Sequence, residues 1–570
     1  MKKIKYIACL LSLAVVSGCD SILDKGPLDS FTNDNFWTGE GNISGYANAF
    51  YEQFLGYGNG NGYGDFYFKT LSDDQAGMSF AKWTYPDNAP STSATWKNGW
   101  IEVRRANIML ENVPTVASLD EATKNHWLGV ARLMRAWQYY HLVRMYGNLP
   151  WIDKALNIND EGEIYGNRED RDMVMDKVLE DLDFAVTNIK DIPSKTTWSR
   201  SLANAMKAEV CLYEGTFRKY RKNEDGQQAP DATGAARYLT ACKEACLAVM
   251  SKGYKLNTSY QGNYNSTDLS SNPEMILYKA YKEGLLMHST IDYTCSSTQI
   301  SGMSKNAFES YLFKDGKPMA LTSLNKSDEA PFQYGHLSLK AILAVRDKRL
   351  AQTIDTVLLY NGRGFTRFNT GMESTSSTGY GVAKYDNEAI PEGFRSQSGK
   401  NYTHAPLFWL SVIYLNYAEA CAELGNITQD DLDKSINLLK DRAGLPHLNP
   451  IVGFSDPANN HGVSDLIWEI RRERRCELMF DNDNRYWDLI RWHQLDKLDT
   501  TKYPDIILGA NVANDMDGCE ANKVGKYIDG SKDGSRIYDK KHYLYPIPTG
   551  QIALNPQLAP NNPLVINHTW

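Results

Sequence analysis

Three sets of residues in this 570-residue chain are of types that could do chemistry. The first is Cys19, preceded by Val16, Ser17 and Gly18. Small residues before a cysteine suit a lipoprotein-processing site, and cleavage there would leave the thiol and the new amine open to acylation. Two or three acyl chains anchor far more firmly than one. Lys2, Lys3 and Lys5 supply a positive leader, and the apolar run from Ile7 to Val16 is too short to cross a bilayer. The expectation is a signal peptide over residues 1–18, a palmitate-type lipid on Cys19 and a tether over residues 19–40.

The second set lies in two polar loops, residues 71–90 and 286–304. Trp83, Tyr85 and Tyr293 sit there without helical or strand periodicity. Each either offers a flat face on which a ligand can stack or anchors its own loop. Asp73, Asp74, Asp292 and Gln299 are the polar groups beside them, and Asp73 and Asp74 serve equally well as caps of a helix or turn. The third set would be enzymatic, and it is thin. The sequence has no H-E-x-x-H, no G-x-S-x-G and no Walker-type loop. The glycine-rich stretch Tyr57 to Gly64 follows no strand and reads as a surface loop carrying Tyr57 and Tyr63. Asp515 to Gly518 and Asp529 to Gly534 lack the alternating ligands of a calcium loop and read as tight turns. Neither catalysis, nor a metal, nor a cofactor is expected.

The formal charge is -8, and loss of the leader would remove three lysines, leaving the chain more acidic still. Phosphate backbones demand a basic surface, so nucleic acid is excluded as a partner. Beyond Cys9 and Cys19 the cysteines are Cys211, Cys242, Cys246, Cys295, Cys421, Cys476 and Cys519, an odd number without C-x-x-C pairs. A chain of this size can bury its core without disulfides, and these thiols read as small core residues.

Helical periodicity marks the elements that must position any site. It runs over residues 101–114, 118–146, 171–189, 202–220 and 235–250, and resumes at 407–424 and 432–443. Paired helices of this length resemble tetratricopeptide-type hairpins. Residues 255–405 shift toward Ser, Thr, Gly and Tyr, with short runs such as 275–279 and 356–360 expected as strands between loops. The densest stretch is residues 464–495. Ser464 is a candidate N-cap, and Leu466, Ile467, Ile470, Leu478 and Met479 recur at helical spacing. Between them run Arg471, Arg472, Glu473, Arg474, Arg475 and Glu477. That charge reads as a solvated face with neighbouring pairs, Glu469 with Arg472 and Arg474 with Glu477, each contributing a few tenths of a kcal/mol. The aromatic block Tyr486, Trp487 and Trp492 must dock on something large.

Arg471, Glu473, Arg474, Glu477, Leu478, Phe480, Arg485, Asp488, Leu489, Arg491 and Trp492 together resemble the C-terminal signature of the SusD/RagB family of Bacteroidetes lipoproteins. Asp315-Gly316, Asp347 to Leu350, Gly379-Tyr380, Lys384-Tyr385 and Tyr545 to Pro548 extend the resemblance along the chain. Trp409 and Val412 depart from it, standing where the family pattern has Arg and Glu. The resemblance implies a mostly α, SusD-like fold with a loop-rich, short-strand middle region. Residues 41–254 and 255–570 would pack as one body. It also implies a surface-exposed, non-enzymatic outer-membrane lipoprotein that binds an oligosaccharide and passes it to a SusC-like TonB-dependent transporter. The alternatives are a RagB-like peptide binder of the same architecture and a surface hydrolase. Family sites lie on loops matching residues 71–90 and 286–304, which makes Asp73, Asp74, Trp83, Tyr85, Asp292, Tyr293 and Gln299 the candidate ligand contacts.

Overall fold

The structure, a computed structural model, describes residues 36–77, 89–225, 227–295, 301–324, 338–359, 376–512, 523–531 and 534–559. Cys19, Trp83, Tyr85 and Gln299 lie outside the described residues. After a first helix α1 (Glu40–Asn48) come α2 (Ala94–Asn112), α3 (Glu121–Tyr146), α4 (Arg171–Asn188), α5 (Arg200–Tyr220) and α6 (Ala232–Met250). Each long helix starts where a short polar side chain accepts a hydrogen bond from the first turn. Ser93 caps α2, Asp120 α3, Ser199 α5 and Asp231 α6. Successive helices pack side by side, α2 on α3, α3 on α4, α4 on α5 and α5 on α6. Val130, Met134, Met206, Cys211, Cys242 and Cys246 are fully withdrawn from solvent in the resulting core. The expected helices match these to within about three residues, except that α2 begins at Ala94, well before the expected start at residue 101.

The second half is less regular. A short helix α7 (Thr290–Cys295) precedes the long helices α8 (Leu410–Glu423), α9 (Asp465–Glu477) and the two-turn α10 (Asn484–Arg491). Ser464 accepts from the backbone N–H of Ile467 and caps α9, as expected. α8 joins the two halves by packing on α6 and on α9. Three small antiparallel sheets fill the gaps: β1 (Gln75–Gly77) with β3 (Ser301–Met303), β2 (Met275–Lys279) with β4 (Ala405–Trp409), and β5 (Leu508–Asn511) with β7 (Tyr527–Asp529) and β6 (Lys523–Val524).

Three expectations are corrected here. Leu407, Phe408 and Trp409 belong to strand β4, not to the helix that follows, because a run of apolar residues carries no period to separate the two. The helix expected over 432–443 breaks into Gln429–Asp433 and Ile436–Ala443, where Ser435 turns its hydroxyl back onto the Asp431 carbonyl. The strand expected from Thr356 shrinks to the single bridge Ser338 to Val357. The six described cysteines are buried free thiols.

Candidate ligand-binding surface

The charged helix α9 is buried, not solvated. Arg471, Arg472, Glu473, Arg474 and Glu477 are each at most 8 % exposed. The expected pair of Glu469 and Arg472 forms at 3.0 Å, but Arg474 and Glu477 turn to distant partners. Arg474 donates to Asp488 and to Asn416, each at 2.8 Å. Glu477 takes Arg349 at 2.8 Å and also pairs with Arg442. Arg491 forks onto both carboxylate oxygens of Glu419 at 2.5 and 2.8 Å and reaches Asp488 at 2.8 Å. Charges this deep are costly unless they are paired and hydrogen-bonded, and these pairs supply most of that compensation.

Asp73 and Asp74, expected beside a ligand or as caps, belong to this lattice and pair with arginines. Arg485 grips both oxygens of Asp73 at 2.7 Å, and Arg475 reaches Asp74 at 2.8 Å. Both aspartates are nearly sealed from solvent. Burial alone would push the Asp73 carboxyl up, but Arg475 and Arg485 hold it well below the usual carboxylate range. Their work is to clamp the N-terminal segment onto α9 and α10. Asp292 is likewise buried, and its carboxylate accepts from the Ser398 hydroxyl at 2.7 Å.

Tyr293 is different. It is half-buried, and its ring lies edge-on to Tyr63 at 5.5 Å and to Phe68 at 5.8 Å. Tyr63 and Phe68 stack at 4.6 Å, and Tyr63 is 58 % exposed. The rings are held by cross-bracing between three loops. Ser289 donates to the Gly60 carbonyl at 2.7 Å, and the Gly60 N–H to the Met287 carbonyl at 2.7 Å. The N–H of Gly399 donates to Ser289 at 2.7 Å, and the Tyr293 hydroxyl to the Asn61 carbonyl at 3.2 Å. Asn61, against the Tyr293 hydroxyl, and Ser398, bonded to Asp292 beside Tyr293 in the chain, are exposed polar residues at this face.

The glycine-rich loop decides which tyrosine faces out. Gly58 has φ +85°, and a Cβ there would lie 2.3 Å from the Gly62 carbonyl oxygen, so the chain folds back on itself tightly. Tyr57, expected on the surface, is driven into the core and donates to the Tyr264 carbonyl at 2.6 Å. Of the candidate contacts the structure therefore keeps Tyr293 at the surface and withdraws Asp73, Asp74 and Asp292. Tyr63, Phe68 and Asn61, which lie against Tyr293, were not among the sequence candidates. Their signal was a Gly/Asn loop followed by the Phe66-Tyr67-Phe68 run, of which only Phe68 stays half-buried while the other two are sealed.

Elsewhere, α3, α5, β4, α8 and α10 line a cavity of about 550 Å³. Trp409 and Val412 line it, so the two departures from the family pattern share one space. Burial pushes the Asp483 carboxyl in its wall up to about 6. Among the described residues no group of three or more His, Cys, Asp or Glu is placed to hold a metal ion.

Comparison with known proteins agrees with this architecture. Residues 248–564 match the model of the SusD family, and residues 32–212 match a model described as starch-binding and associating with outer membrane. SusD-like protein P38 of Formosa agariphila is 25 % identical over 509 residues, which covers 86 % of this chain and 92 % of that protein. The structure of a SusD-like carbohydrate binding protein from Bacteroides fragilis superposes with a TM-score of 0.68 at 19 % identity, covering 92 % of this chain and 99 % of that one. A laminarin binding SusD-like protein superposes at 0.55 with 19 % identity, covering 92 % and 100 % of the two chains. With more than half its length matched by the family model, and the signature helix folded into the lattice that holds both halves together, this chain belongs to the SusD family.

Proposed function

We propose that this protein is a surface-exposed outer-membrane lipoprotein, anchored through Cys19, that captures an oligosaccharide and passes it unaltered to a SusC-like TonB-dependent transporter. The exposed face of Tyr63, Phe68 and Tyr293 carries the reading. Pyranose rings present flat apolar C–H faces that stack on aromatic rings, and their hydroxyls need fixed polar partners at the rim. Asn61 and Ser398 stand where such partners are wanted, on loops braced before any ligand arrives. The laminarin-binding relative and the outer-membrane description of the N-terminal model support the same reading.

Calorimetry of the purified protein against α-glucan, β-glucan and xyloglucan oligosaccharides, with peptide pools beside them, tests it. One glycan class is expected to bind and to lose affinity in Tyr63→Ala. Binding of peptides alone would overturn it. Cys19→Ala is expected to move the protein from membranes to soluble fractions, and the wild type is expected to co-purify with a large β-barrel in mild detergent. Protease protection of the wild type in intact cells would argue against surface exposure.

A further inference from the structure

A second cavity, of about 690 Å³, shares no lining residue with the aromatic face. Its wall is unusually cationic: Arg471, Arg472 and Arg475 from α9, then Arg485 and Lys497. The carboxylates that line it are already engaged. Asp73 is held by Arg485 and Arg475, and Asp456 by Arg472. Glu309 is paired with Lys305 at 2.6 Å, and Asp505 accepts from Asn306 at 2.7 Å. Arg471 spends one nitrogen on Glu423 at 3.0 Å. Its Nε and Nη1 have no hydrogen-bond partner.

Lys497 is the group left over. It is 8 % exposed, and its ammonium lies 4.7 Å from the centre of the Trp468 ring, a cation–π contact that supplies no counter-charge. No carboxylate lies within ion-pairing distance of it among the described residues. A buried ammonium without an anion is among the costliest groups a fold can keep, and here it faces a space large enough for a small ligand. Trp468 and Trp492, both on the wall, add flat apolar area beside the charge.

We propose that this cavity binds a small molecule through an oxyanion group, a carboxylate, sulfate or phosphate, seated against Lys497 with Arg471 and the two tryptophans as its walls. The site is independent of the oligosaccharide face. Titration of Lys497 fits this role. Burial, then Arg485 and Arg475, bring its ammonium down to about 7, while Asp73 and Asp496 work the other way and His461 shares Asp496 at 3.1 Å. An oxyanion beside Lys497 stabilises the charged form, so binding above pH 7 takes up a proton.

Calorimetry on the full chain with sodium sulfate, sodium phosphate and sodium D-glucuronate, and D-glucose as the neutral control, tests the proposal. At least one oxyanion is expected to bind while glucose does not at the same concentration. The sulfate and phosphate arms separate a tetrahedral anion from the carboxylate of glucuronate. Lys497→Met should weaken that binding by about tenfold or more without lowering the melting temperature, since it removes an unpaired buried charge. Lys497→Arg should retain part of it. Repeating the wild-type titration in buffers of different ionisation enthalpy should show proton uptake that Lys497→Met lacks. Failure of all three oxyanions to bind, equal binding by wild type and Lys497→Met, or binding of glucose as strong as glucuronate would each overturn the site.

Discussion

Two regions of this molecule use their side chains in opposite ways. Around α9 the charged residues are interior and densely paired; around Tyr293 the aromatic residues are partly exposed and the contacts are fewer. Glu419, Glu473 and Glu477 are each at most 2 % exposed, against 58 % for Tyr63. The difference separates what holds the fold from what is open to a ligand. A guanidinium buried between carboxylates is fixed by several directional bonds, whereas a half-exposed ring is free on one face.

The contrast is broken most directly at Arg491. Arg491→Met leaves Glu419 buried without its guanidinium and Asp488 with Arg474 alone, and urea unfolding is expected to show a loss of about 3–5 kcal/mol. A loss near that of a surface pair would mean the lattice is not structural. Acid should attack the same region next. Burial pushes Glu419 and Glu473 up, but Arg491 for the first and Arg349 for the second hold each down to about 2. Because their folded values are depressed, their contribution is present above the ordinary carboxylate value and is lost as pH falls from about 4.5 toward 2. Denaturant midpoints measured at steps across that window should fall; a flat profile would contradict the pairing.

On the aromatic side, Tyr293→Ala is expected to weaken oligosaccharide binding by about 1–3 kcal/mol with the melting temperature nearly unchanged. A large drop in melting temperature would make Tyr293 a core residue and erase the distinction. The smallest effect sharpens it from the other end. Lys177 and Glu180 form a 3.0 Å pair on the outside of α4 with both side chains well exposed. Lys177→Ala should cost only about 0.2–0.5 kcal/mol by the same unfolding measurement.

The helical frame was legible because caps and periodicity are local. Ser464 announces the start of α9 from within a few residues. The fate of the charges was not legible, because solvated and buried arginines share one local pattern and differ only in partners far along the chain. Arg349 reaches Glu477 across 128 positions and Arg491 reaches Glu419 across 72. For the same reason Asp73 and Asp74 read as loop carboxylates until Arg485 and Arg475 were placed beside them. The binding surface was half legible. Tyr293 could be singled out from its polar surroundings, but the sorting of Tyr57 inward and Tyr63 outward depends on a turn whose glycines permit several paths. Phe68 was hidden in a run of three aromatics whose alternation needs the neighbouring loops to decide.

The clamp between Asp73 and Arg485 spans 412 positions, and that between Asp74 and Arg475 spans 401. A ribosome delivers the chain from its N-terminus, so the early segment is made long before its arginines exist. Until then two carboxylates must wait in water, and the segment that carries them is held only by earlier elements, such as the ladder of β1 with β3. Contacts this far apart in sequence form late and carry a large loop-closure cost. The clamps on the N-terminal segment and the C-terminal helices are thus finished in one step, and a chain cut short before Arg475 would have its helical hairpins but neither of these two clamps.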